Sequence, residues 1–144
     1  MKINFRSQFI PVTLFVLFFS SVSILYSANV SVEVQENIDA LVMTNKCVDC
    51  NLTGADLNRL NMSGADLRGA DLSNATFYLA DLSDANLNGA LLKGTQFGGA
   101  DLAGADLRNA DLRGVKLAGA YLVGCKFDGS YTEVTVSDDG AEPE

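Results

Sequence analysis

The 144-residue chain contains no histidine, three cysteines, and ten lysines and arginines against eighteen aspartates and glutamates. Without histidine it lacks the one side chain that titrates unperturbed near neutral pH. No cysteine stands in an activating setting, so general acid–base and nucleophilic machinery is missing. Zinc is poorly served too: beside Cys47 and Cys50 there is one further cysteine and no imidazole to complete a ligand set. Charge is absent from Ser7 to Val32. Lys2 and Arg6 precede that stretch, residues 9–26 are almost wholly apolar, and Ser27 and Ala28 supply small residues before a cut. The pattern predicts a signal segment over residues 1–28, with Leu25 and Ser27 the better-sized pair at the cleavage point. The alternative is a retained membrane anchor, since an uncharged run of this length nearly spans a bilayer. Pro11 and the cleavage-like end favour removal, and either reading puts the chain beyond residue 28 outside the cytoplasm.

What is present is a period of five. From Leu52 to Phe127 every fifth residue is leucine, phenylalanine or, once, Met62, sixteen positions in all. Two residues before these stands a second row, alanine in eleven cases, and two residues after stands glycine in eleven cases. Five matches neither the helical period of 3.6 nor a continuous period of two. Within a unit, alanine and leucine are two apart, so extended backbone points both inward; the next alanine then requires a turn. Glycine or asparagine two residues after the leucine tolerates the positive φ of such a turn. Short extended sides joined by repeated turns wind into a solenoid, and since no five-residue unit buries its own leucine, stacking creates the core.

Units such as Ala65-Asp66-Leu67-Arg68-Gly69 and Ala110-Asp111-Leu112-Arg113-Gly114 resemble the pentapeptide-repeat family. The resemblance implies an all-β solenoid, a right-handed four-sided β-helix with one unit per side. Residues 50–129 then form about four coils, a rod of roughly 19 Å at strand spacing. Residues twenty apart stack on that reading, which sets Phe77 beneath Phe97. Residues 29–49 are read as an N-terminal capping α-helix followed by the cysteine pair. Val34, Ile38, Leu41 and Val42 form its apolar stripe, Ser31 its N-cap, and Asn45 and Lys46 its C-terminal end. Residues 130–144 are read as a strand-like segment, Tyr131 to Val136, that covers the last coil or leaves it open, followed by an acidic tail.

Three readings of Cys47 and Cys50 stay open: a structural disulfide, reduced buried thiols, and redox or metal chemistry. Outside the cytoplasm oxidation is expected. Cys125 replaces an alanine of the inward row and reads as a buried small residue. Residues 50–129 carry nine acids and seven bases, a nearly neutral rod. Some family members imitate DNA and occupy gyrase through a strongly negative rod. Here Arg68 and Arg108 share a side with Asp66, Asp106 and Asp128, so local pairing is expected instead. Asp101 and Asp106 fall on different sides and form no acid pair. The G-G-x-G-x-D pattern of calcium-binding β-helices is absent, Gly98-Gly99-Ala100-Asp101 being the nearest approach. Apolar residues at outward or corner positions, namely Tyr78, Leu79, Leu91, Tyr121 and Val123, mark the candidate partner surface, with Tyr121 and Val123 alternatively expected to lie beneath the tail strand of Tyr131 to Val136. The sequence therefore points to an exported binding or scaffolding module, periplasmic, secreted or thylakoid-lumenal. It uses no cofactor and no nucleic acid, and meets a membrane only if residues 1–28 persist as an anchor. A gyrase-type DNA mimic is the alternative and an enzyme the third choice.

Overall fold

The computed structural model describes residues 31–128. The signal or anchor reading of residues 1–28 and the strand-like and acidic readings of residues 130–144 lie outside the described residues.

The first element, α1 (Val32–Thr44), starts where the side chain of Ser31 accepts the Val34 N–H at 3.2 Å. Glu33 sits in the first turn, where the helix dipole favours an anion. The helix ends at Asn45, which adopts the left-handed conformation (φ 56) and donates its N–H to Leu41 O at 2.8 Å. Val34 and Leu41 are buried and Ile38 packs against the same core. Two sequence expectations differ. Val42 is 59% exposed, because the helix meets the solenoid along a narrow line rather than the full stripe. Lys46 lies outside the helix and already pairs with Asp66 across the first stacking contact.

From there the chain is a solenoid with a constant register. Thirteen parallel bridges join residues twenty apart, from Lys46↔Asp66 to Asp106↔Lys126. Four units therefore separate stacked partners. Each unit contributes a single bridging residue, so among the described residues the sides are too short for continuous strands. Leu52 N–H donates to Asp71 O (2.7 Å), Asp71 N–H donates back to Cys50 O (2.9 Å), and Ala55 N–H closes the corner onto Leu52 O (3.0 Å). The same three bonds recur through most of the stack, so extended sides and corners alike have their backbone donors paired.

The turn falls where the sequence placed it. Gly54, Gly64 and the later glycines of that column have φ near +70°, and Arg59, Asn74, Leu79, Asp84 and Asn109 adopt the same conformation without being glycine. Inside, Leu52 through Leu112 are buried with the alanine row beside them. Phe77 and Phe97 stack with ring centroids 4.9 Å apart and planes 12° from parallel, the pairing expected for residues twenty apart. Thr95, the polar member of the alanine row, is fully buried and donates its hydroxyl to Leu72 O at 2.8 Å. Cys125 takes the same role at the far end, its Sγ donating to Leu102 O at 2.7 Å, but it is only half-buried rather than enclosed.

Stacking also begins earlier than the run of leucines. Cys47 N–H donates to Asp66 O and Asp49 N–H to Arg68 O, both at 2.8 Å. Cys47 thus occupies the leucine column and Cys50 the alanine column of the first round. Asn37 of α1 reaches this round, donating its side-chain amide to Asn51 O at 2.9 Å.

Candidate functional site

The motif's aspartate or asparagine, one residue before most of the leucines, has a structural task. Its Oδ1 accepts the N–H of the residue two ahead: Asn51 from Thr53 (3.1 Å), Asp71 from Ser73 (3.0 Å), Asp81 from Ser83 (3.0 Å), Asp101 from Ala103 (2.9 Å). That N–H is the one the stacking bonds leave over, and a short acceptor two residues back is the side chain that can reach it. These acids are therefore turn acceptors before they are surface charge. The sequence alone reads them as a solvated ladder; the signal for the second role is their constant spacing from the residue after the leucine.

Three of them carry a second load. Arg68, Arg108 and Arg113 stand two residues beyond Asp66, Asp106 and Asp111, hence on the same face, and each clamps its carboxylate with two nitrogens. The closest approaches are 2.7, 2.6 and 2.5 Å. The Arg108 hydrogen bond holds the Asp106 carboxyl down at about 2, against an ordinary 3.8. The Asp66 and Asp111 carboxyls are lowered by the same kind of bond from Arg68 and Arg113. The Ser83 hydroxyl lowers Asp81. Local pairing, as expected for Arg68 and Arg108, breaks any phosphate-like stripe along these positions.

Among the described residues no group of three or more cysteine, aspartate or glutamate side chains is arranged to hold a metal ion. No described helix is long and apolar enough to cross a membrane. Cys47 and Cys50 lie with Cα atoms 5.5 Å apart, a separation a disulfide spans. Partial burial pushes the Cys125 thiol above its usual value, which disfavours the thiolate.

The apolar candidates are all exposed, but the register does not gather them into one patch. Tyr78 and Leu79 sit at one corner, each lying against the glycine twenty residues on. A Cβ added at Gly98 would come within 3.1 Å of Tyr78 Cδ2, and one at Gly99 within 2.9 Å of Leu79 Cδ2. Leu91 stands alone between Asp71 and Asp111. Tyr121 and Val123 flank Leu122, with Tyr121 paired to Asp101. Leu79 is the unusual one. It holds φ 55, a conformation that costs a non-glycine residue roughly 1–2 kcal/mol, while remaining half-exposed.

Five-residue units stacked at twenty residues around a filled apolar core define the class of protein as a repeat solenoid. The pentapeptide-repeat family model matches residues 46–84, 80–117 and 90–129, and the chain belongs to that family. It is similar to a pentapeptide repeat protein (Rfr23) from the cyanobacterium Cyanothece 51142 at 30% identity, over 69% of this chain and 95% of that one, with a TM-score of 0.50. HetL from Nostoc sp. strain PCC 7120, involved in heterocyst differentiation regulation, is 31% identical over 59% of this chain and 46% of its own, TM-score 0.30. A pentapeptide repeat protein of the Arabidopsis thaliana thylakoid lumen is 29% identical over 68% and 73%, TM-score 0.39. No curated protein matches the chain.

Proposed function

We propose that this chain is an exported, non-catalytic binding or scaffolding module that recruits a protein partner in the periplasm, an extracellular space or a thylakoid lumen. In this reading the solenoid is a right-handed four-sided β-helix of about four coils, α1 caps its first coil, and a Cys47–Cys50 disulfide ties cap to coil. Residues 1–28 are its export signal. The observation that carries the binding role is the Tyr78–Leu79 corner. Leu79 bears backbone strain that glycine would relieve and leaves half of its surface exposed, an arrangement that a partner burying that surface would account for. Two adjacent exposed apolar side chains over a glycine floor supply the contact that a partner would bury.

The test uses Leu79→Gly, which removes the contact while relaxing the turn. The variant is expected to keep or gain stability, by up to about 1 kcal/mol, and to lose the partner captured by crosslinking in the exported compartment. Capture of the same partner by wild type and Leu79→Gly would move the site elsewhere, with Tyr121→Ser as the next variant to score. Export is checked on the protein recovered from that compartment: its mass should lack the first 27 or 28 residues. An intact Met1 on soluble cytoplasmic protein would revive the DNA-mimic alternative, against which the three arginine clamps now stand.

A further inference from the structure

On one side of the solenoid the motif's acceptor is missing from three successive rounds. That side presents Asp56, Thr76, Gln96 and Lys116, stacked at twenty, one residue before the central leucine or phenylalanine. Asp56 Oδ1 accepts the Asn58 N–H at 3.2 Å, as the motif requires. In the next round the Tyr78 N–H is served from below instead, by Asn58 Oδ1 at 2.6 Å. The relay ends there. Tyr78 carries its oxygen at the far end of a ring, and Gly98 has no side chain to offer the round above. Gln96 is one methylene longer than the asparagine that makes this bond elsewhere, and lysine has no acceptor. Among the described residues nothing therefore accepts the N–H groups of Gly98 and Ala118. They lie in adjacent rounds, about 4.8 Å apart, and point outward like those the aspartates take. At Lys93 and Val123 the same group is left over singly, since Ser73, Arg113 and Ala103 are all served.

We infer that Gly98 and Ala118 form a carboxylate-binding site that takes an aspartate or glutamate side chain of the protein partner. The inference rests on the reading of the Tyr78–Leu79 corner given above, which the site adjoins. A carboxylate offers one oxygen to each N–H and so does for two rounds what the chain's own aspartate does for one. Approach is open, because Gly98 has no side chain and Ala118 only a methyl. The Tyr78 ring lies beneath Gly98, where an added Cβ would come within 3.1 Å of it, and closes the lower edge. Charge points the same way. Lys116 stands two residues before Ala118 on the same outward row, bridged to Gln96. It takes part in none of the three ion pairs found among the described residues. Asp56, the acid of this side, is two rounds below Gln96. The partner segment thus pairs an apolar residue, for Leu79, with an acidic one.

The test restores the motif. In a Gln96→Asn, Lys116→Asn double variant each asparagine sits where Asn51, Asn61 and Asn86 already accept the N–H two ahead. The fold is kept while both donors are taken internally. Sodium acetate is the probe, titrated into the full chain against sodium chloride at equal ionic strength, with amide shifts read by NMR. In wild type acetate should move Gly98 and Ala118 together, and further than Val123. The double variant should lose those shifts, hold its melting temperature and fail to crosslink the partner captured by wild type. Chloride matching acetate, Gly98 and Ala118 moving no further than Val123, or shifts that persist in the double variant would each overturn the inference. So would a double variant that loses the shifts and still captures the partner. Leu79→Gly separates the two readings, because it should lose the partner while keeping the acetate response. If Leu79→Gly keeps the partner and the double variant loses it, the corner falls and the carboxylate site stands.

Discussion

The aspartate that precedes many of the leucines is the residue whose role changes most between sequence and structure. As a charge it suggests a surface; as a hydrogen-bond acceptor it closes a corner. Asp101 separates the two roles, since its Oδ1 accepts the Ala103 N–H and no arginine stands two residues ahead. Asp101→Asn keeps the acceptor and should leave the melting temperature nearly unchanged. Asp101→Ala should cost about 1 kcal/mol, measured by denaturant unfolding, and matching losses in both variants would make charge the operative property. The clamped acids add a pH dependence. Asp106 has a folded value depressed to about 2 by Arg108. Its contribution is therefore fully present above its ordinary value of 3.8 and is lost as pH falls toward about 2. Asp66, Asp81 and Asp111 are lowered as well and act in the same direction. Melting temperature should thus fall between pH 4 and pH 2, by a small amount because these groups are solvent-screened. Arg108→Gln should fall less over that interval, and an equal fall would remove the clamp from the account.

At the scale of elements, what was legible depended on whether a signal was local. Ser31 and Asn45 announced both ends of α1 because caps are side-chain chemistry within one turn. Val42 escaped the expected stripe, since periodicity marks an apolar face but not how wide the surface beneath it is. Residues 45–49 hid their membership of the repeat. Cysteine stands in the leucine column, lysine in the acidic one and asparagine in the alanine one, so three substitutions blurred a phase that still counts back five from Leu52. That position gives the cysteine pair a distinct role in the proposed oxidised form. A bond from the leucine column to the alanine column spans one corner of the first round, beside the residue that ends α1. Closing so short a loop contributes about 2 kcal/mol on the chain-entropy model. Reductant should lower the melting temperature of wild type and leave a Cys47→Ser, Cys50→Ser double variant unmoved. A wild type indifferent to reductant would mean the thiols are free.

For the whole molecule the period is the strongest statement the sequence makes, and its consequences reach beyond what any single side chain predicts. The turn position followed from it, while the partner at twenty and the Phe77–Phe97 stack followed only once the four-sided coil implied by the family resemblance was added. The surface was less legible. Which apolar residues cluster depends on how corners separate them, and the five candidates prove to occupy three separate places. Stability in such an array is close to a sum of unit terms and neighbour contacts, so tolerance to deletion should depend on phase rather than on length. Removing residues 98–117 joins Phe97 to Ala118 with every column still in phase. The shortened chain should keep a cooperative transition and β-type circular dichroism, with a lower melting temperature from the lost round. Removing Gly89 alone deletes one turn residue and shifts every later leucine out of its column relative to the rounds below. That single deletion should be the more damaging by several kcal/mol, since it exposes alanines and leucines that the stack buries. If instead the twenty-residue deletion unfolds the chain while the one-residue deletion is tolerated, nearest-neighbour stacking in phase is not what holds this solenoid together.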